Sequence, residues 1–222
     1  MKKFLFLIFI ISSPSVFSQE TKQVHVKHTR NNIIIDGKLN ELDWQKAIPA
    51  KNFWQYFPTD SIQAKNQTEI KMMFDDKNLY LGIKVNSKSN NYIVPSLRRD
   101  FRASGNDNVT MLFDTFNDGS NAFFFGTNPH GVKREALLSG GGTDLRGFNL
   151  AWDTKWVCKT EIHDTFYIAE IAIPLTAFKF REGETKWRFN SYQFDTQDNE
   201  RNTWMNIPQN QWIFSLAYMG EM

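Results

Sequence analysis

Residues 68–85 read TEIKMMFDDKNLYLGIKV, and their pattern decides the fold class. Ile70 and Met72 alternate with Glu69 and Lys71. After the polar turn at residues 75–78 the alternation resumes, with Leu79, Leu81, Ile83 and Val85 on one side and Tyr80, Gly82 and Lys84 on the other. Successive side chains of a strand point to opposite faces, so these two runs predict a hairpin with one buried face. The same period of two runs through residues 24–28, 33–35, 108–114, 122–128, 132–137, 155–160, 165–173, 187–193 and 212–218. Helical spacing is confined to residues 40–47, with Asn40 as the candidate N-cap, and to residues 175–178 after Pro174. About ten or eleven mostly antiparallel strands with one or two short helices predict an all-β chain, folded as a β-sandwich.

The first residues set a compartment. Lys2 and Lys3 precede an apolar run from Phe4 to Ile11, and Val16 and Ser18 stand at the −3 and −1 positions of a cleavage site before Gln19. That is the layout of a secretory signal peptide over residues 1–18, too short to span a bilayer. Export to the periplasm, cell surface or exterior is expected, followed by one domain over residues 19–222. The chain has 26 basic and 24 acidic residues, and without Lys2 and Lys3 the two balance. A mature chain without a broad basic field argues against nucleic acid as a partner. Cys158 is the only cysteine, so an internal disulfide is excluded, and its strand-like surroundings predict a small buried apolar residue.

Motifs for catalysis are missing. The sequence has no nucleophile elbow, P-loop, dinucleotide fingerprint or HExxH, and SGGGTD at residues 139–144 lacks P-loop spacing. His25 and His28 fall on opposite faces of a strand, while His130 and His163 are isolated. No pair of carboxylates for glycoside hydrolysis can be assigned from sequence. The irregular stretch at residues 137–154 is long enough to read as a functional loop. For a metal, Asp114, Asn117 and Asp118 are the candidates: hard oxygens around a turn suit Ca²⁺. The alternative is an Asx-rich hairpin whose side chains bond their own backbone.

Aromatic residues make up 15% of the chain, with 20 Phe and seven Trp, and most of them, such as Phe123 to Phe125, Phe166 and Phe189, read as strand core. A Trp in a polar loop can offer its indole face to the C–H face of a sugar while neighbours bond the hydroxyls. Trp54, Trp152 and Trp204 are the candidates. Trp204 has the most sugar-like setting, with Arg201, Asn202 and Asn206 beside it; the alternative for each is partly buried packing.

Four motifs taken together carry a resemblance: IIIDGKLNELDWQKA at residues 33–47, the hairpin at 68–85, NDNVTMLFDTFNDG at 106–119 and FYIAEIAIPLTAF at 166–178. In this order and spacing, over residues 24–218, the chain resembles carbohydrate-binding module family 9. It is especially similar to the type at the N-terminus of long exported Gram-negative proteins that continue into a membrane β-barrel-like region. The resemblance implies a β-sandwich that binds oligo- or polysaccharide, with structural calcium in some members, alongside glycoside hydrolases that degrade xylan and cellulose. It implies that Trp44 belongs to the scaffold and that two aromatic walls hold the sugar. One wall is Trp204, with Arg201, Asn202 and Asn206 contacting hydroxyls. The other comes from FRASGND at residues 101–107, where Ser104 stands in the expected place of a Trp and Phe101 or Trp152 would substitute. A docking domain that has lost its sugar site, and a glycoside hydrolase, are the other readings. RRDFR at residues 98–102 would either meet an acidic sugar or form a solvated face.

Overall fold

The structure, a computed structural model, describes residues 22–183 and 185–222; the expected signal peptide lies outside the described residues. In chain order the strands are β1 (Lys27–His28), β2 (Trp54–Phe57), β3 (Thr68–Phe74), β4 (Asn78–Asn86), β5 (Asn108–Asp114), β6 (Ala122–Thr127), β7 (Lys133–Leu138), β8 (Phe148–Asn149), β9 (Val157–Ile162), β10 (Phe166–Pro174), β11 (Arg188–Asp195), β12 (Glu200–Thr203) and β13 (Gly220–Glu221). One sheet runs β1-β3-β4-β10-β9. The larger runs β2-β12-β11-β5-β6-β7-β8, with β13 also on β11. Apart from the parallel β1–β3 pair, the pairings between these strands are antiparallel, as in a β-sandwich.

The core lies where the two sheets face each other. From the smaller sheet come Ile70, Met72, Leu81, Ile83 and Ile171, and from the larger Val109, Met111, Phe113, Phe125 and Phe189, all buried. The alternation read in residues 68–85 thus survives as a register: Ile70 pairs with Ile83 and Met72 with Leu81. Behind the smaller sheet a second layer forms around Trp44, which is fully buried with Ile33, Met73, Tyr80 and Ala172. Trp44 rides on the only α-helix among the described residues, α1 (Leu42–Lys46). Its ring occupies the space over Gly82, where an added Cβ would lie 3.0 Å from the indole and 2.7 Å from Leu39 Cδ2. Glycine in mid-strand is here a requirement of close packing.

Several local expectations give way. Residues 33–35 form no strand because they pack against Trp44 without a strand neighbour. Residues 212–218 form turns laid over the larger sheet. The helix is capped by Glu41 and not Asn40, without a side-chain bond. The short edge strand β2 pairs with the short β12 across a bulge between Arg201 and Asn202, too irregular to leave a clear alternation.

Candidate functional site

Even-numbered positions of β11 face away from the core. Tyr192 and Phe194 therefore stand on the outer face of the larger sheet, beside Leu112 of β5 and Phe124 of β6. An apolar outer face needs cover, and Ile213, Phe214, Leu216 and Met219 supply it. The cover stops short of the β11–β12 end, leaving a cleft of about 560 Å³. Trp212 forms one edge: it stacks on Phe214 with ring centres 5.4 Å apart at 20°, and is 44% exposed. Phe101, Arg102 and Ser104 also line the cleft. Leu145 and Leu150, both largely exposed, extend the rim from the long irregular stretch flagged in the sequence.

Polar groups line the same space. Arg134 donates to the Tyr192 hydroxyl at 3.2 Å and lies 5.7 Å from the Phe101 ring. Arg201 lies over two rings, 5.1 Å from Phe57 and 5.4 Å from Phe194. Such cation–π contacts hold a guanidinium flat while its N–H edge stays available. Tyr56 donates to the Gln211 carbonyl at 2.7 Å, tying β2 to the segment that carries Trp212. Burial lifts the Tyr56 hydroxyl above the usual tyrosine range, against the pull of the Arg201 charge. The cleft combines one exposed indole with arginine hydrogen-bond donors.

This is not where sequence reasoning centred the site. Trp204 is only 2% exposed; its ring packs 5.4 Å from Phe189 in the inter-sheet core. Its backbone N–H donates to the Ser191 carbonyl at 2.9 Å, and its ring crowds Gly220, where a Cβ would come within 2.5 Å of the indole. No indole face is free for stacking, which corrects its assignment as the platform. Asn202 is fully buried and its amide meets the Gln193 side chain at 2.8 Å, so it is no hydroxyl contact either. Trp152 packs edge-on against Phe123 and Phe125, off the cleft lining, and Asn206 does not line it. Phe101 and Arg201 are brought together there, with Ser104 at the mouth. The residues missed are Tyr192, Phe194, Trp212 and Arg134. A signal existed: aromatics at 192 and 194 alternate out of phase with core Phe189, which puts two large rings on the face away from the core.

Residues 35–220 match the family described as carbohydrate family 9 binding domain-like. The chain belongs to that family. Family 9 structures share the architecture. A carbohydrate binding module family 9 from Caldicellulosiruptor kristjanssonii in complex with cellotriose aligns at TM-score 0.60 and 17% identity, covering 90% of this chain and 92% of the other. The complex with glucose aligns at TM-score 0.60 and 17% identity, covering 90% and 94%. A proposed carbohydrate-binding protein from Bacteroides uniformis aligns at TM-score 0.68 and 14% identity, covering 91% and 98%. At these identities the likeness shows the fold. No curated protein matches the chain.

Calcium, implied for some family 9 domains, does not fit the expected place. Asp114 is fully buried and its oxygens accept the Phe116 N–H at 3.2 Å and the Gly119 N–H at 2.8 Å. The Arg188 guanidinium stands 3.6 Å from the same carboxylate and supplies it with positive charge. Asp118 accepts the Ser120 N–H at 2.8 Å, and Asn117 sits exposed at φ 55°. An Asx-rich hairpin accounts for the bonds of Asp114 and Asp118, with Asn117 in its left-handed turn position.

Proposed function

We propose that this family 9 domain binds carbohydrate in the cleft bounded by Trp212, Phe101 and the outer face of β11. The observation that carries the reading is the half-exposed Trp212 ring facing a cleft with arginine donors. A sugar ring would lie on Trp212 through its C–H face, and Ser104 and Arg134 would meet its hydroxyls. That the Caldicellulosiruptor kristjanssonii module is in complex with cellotriose supports the choice of ligand class. The two carboxylates that line the cleft, Asp100 and Glu135, both approach Arg99, which favours binding over hydrolysis. In this reading the protein meets its sugar after export, on the strength of residues 1–18. It would act by targeting, alongside separate hydrolases or as the front module of a longer membrane-associated chain. Titration calorimetry with cellotriose on the native protein and on Trp212→Ala tests it. Binding that disappears with the indole supports the cleft; equal affinity places the sugar elsewhere.

A further inference from the structure

Resting on that reading of the cleft, we infer that its ligand is an acidic saccharide, one whose rings carry carboxylate groups. Three arginines, Arg102, Arg134 and Arg201, line one cleft. None of them has a carboxylate within 4.0 Å among the described residues. The acidic residues that might have neutralised them are taken. Arg99, which is not part of the lining, lies 3.9 Å from Asp100 and pairs with Glu135 and Asp153. Asp100 further accepts the Glu135 N–H at 3.3 Å, and Glu135 accepts the Trp156 indole N–H at 3.1 Å. Asp100, Glu135 and Asp153 thus all gather at Arg99, and the three lining arginines are left without a direct carboxylate partner among the described residues.

The donors are also unspent. Arg134 gives one hydrogen bond, to Tyr192, while the side chains of Arg102 and Arg201 give none to the protein among the described residues. Arg201 is held flat by Phe57 and Phe194, so the cost of ordering its side chain has been met before a ligand arrives. A guanidinium beside apolar surface attracts an anion more strongly than one in bulk water. A planar carboxylate matches the fork of a guanidinium through two parallel hydrogen bonds. The exposed Trp212 ring meanwhile suits the C–H face of a ring bearing it. An aromatic cleft whose three arginines have no direct carboxylate partner is the complement of a uronate chain.

The test compares cellotriose with its oxidised counterpart, in which each C6 hydroxymethyl has become a carboxylate, by calorimetry on the purified protein. At low ionic strength the oxidised trimer is expected to bind about tenfold more tightly, the worth of one charge-assisted hydrogen bond. The advantage should shrink at about 0.5 M salt. In an Arg102→Gln, Arg201→Gln variant the ratio of the two affinities should fall towards one; both side chains are exposed, and a melting curve confirms that the variant folds. Equal or weaker binding of the oxidised trimer, or a ratio unmoved by the substitutions, overturns the acidic ligand and leaves the sugar cleft standing. No binding of either trimer by folded protein overturns both.

Discussion

The indole N–H of Trp44 donates to Glu170 Oε1 at 3.0 Å, and the other oxygen of that carboxylate accepts the backbone N–H of Asp36 at 2.9 Å and of Gly37 at 3.0 Å. One buried side chain in the middle of β10 thereby fixes both the Asp-Gly turn and the Trp that follows it. The Trp belongs to the protein's own interior.

Glu170→Gln should destabilise the fold by about 3 kcal/mol, because an amide nitrogen would face donors that have no other acceptor. Burial pushes the Glu170 carboxyl above its ordinary value despite the three bonds it accepts. A raised carboxyl binds its proton more readily folded than unfolded. Its contribution is therefore most favourable below the unfolded pKa and declines as pH rises through the folded one. Urea midpoints across pH 3–7, for the native protein against the variant, isolate that decline.

Asp43 shifts the opposite way. The Thr29 hydroxyl and the Asn31 amide bond its carboxylate at 2.5 and 2.8 Å and hold it below the usual range, with nearby lysines adding to the effect. The stability it supplies is present above the unfolded pKa and is lost as pH falls through the folded one. Asp43→Asn should flatten the acid limb of the stability curve and leave its neutral-to-alkaline slope alone.

Two tryptophans should behave in opposite ways. Trp212→Ala should weaken cellotriose binding by roughly 5- to 100-fold, about 1–2.5 kcal/mol, with little change in melting temperature. Trp204→Ala should cost about 3–5 kcal/mol of stability, through the cavity left in the inter-sheet core. Melting curves paired with calorimetry separate the two. A Trp204 variant that stays fully stable yet loses binding would contradict the placement of its ring.

Gly82→Ala should destabilise by about 1–3 kcal/mol, since its methyl meets both Leu39 and the Trp44 ring. Chemical denaturation measures this, and pairing it with Leu39→Ala should recover part of the loss by freeing the closer contact.

The fold was legible wherever one face of a strand is apolar and the other is not, as in β3 and β4, because burial on one side enforces a period of two. It was least legible at the larger sheet's outer face, which is buried too: along β5 every residue is buried and the alternation blurs. Trp212 and Phe214 alternate like strand residues although they sit in turns. Trp204 misled because its polar neighbours are themselves used inside the protein: Asn202 with Gln193, and Glu200 with Gln55 at 2.6 Å. Phe101 and Arg201 were found for their chemistry. What joined them was a non-local approach of β12 to the chain around residues 101–104, which no window of sequence contains.

The segment that carries Trp212 is also the lid on the outer face of the larger sheet, tied down by Ile213, Phe214 and Leu216 and by the Tyr56 bond to Gln211. A ligand resting on Trp212 would hold that segment closed, and linkage makes the gain grow with the logarithm of ligand concentration. Amide exchange and protease nicking around residues 207–219 would then slow as sugar is added, so the lifetime of this domain would depend on how much of its ligand surrounds it.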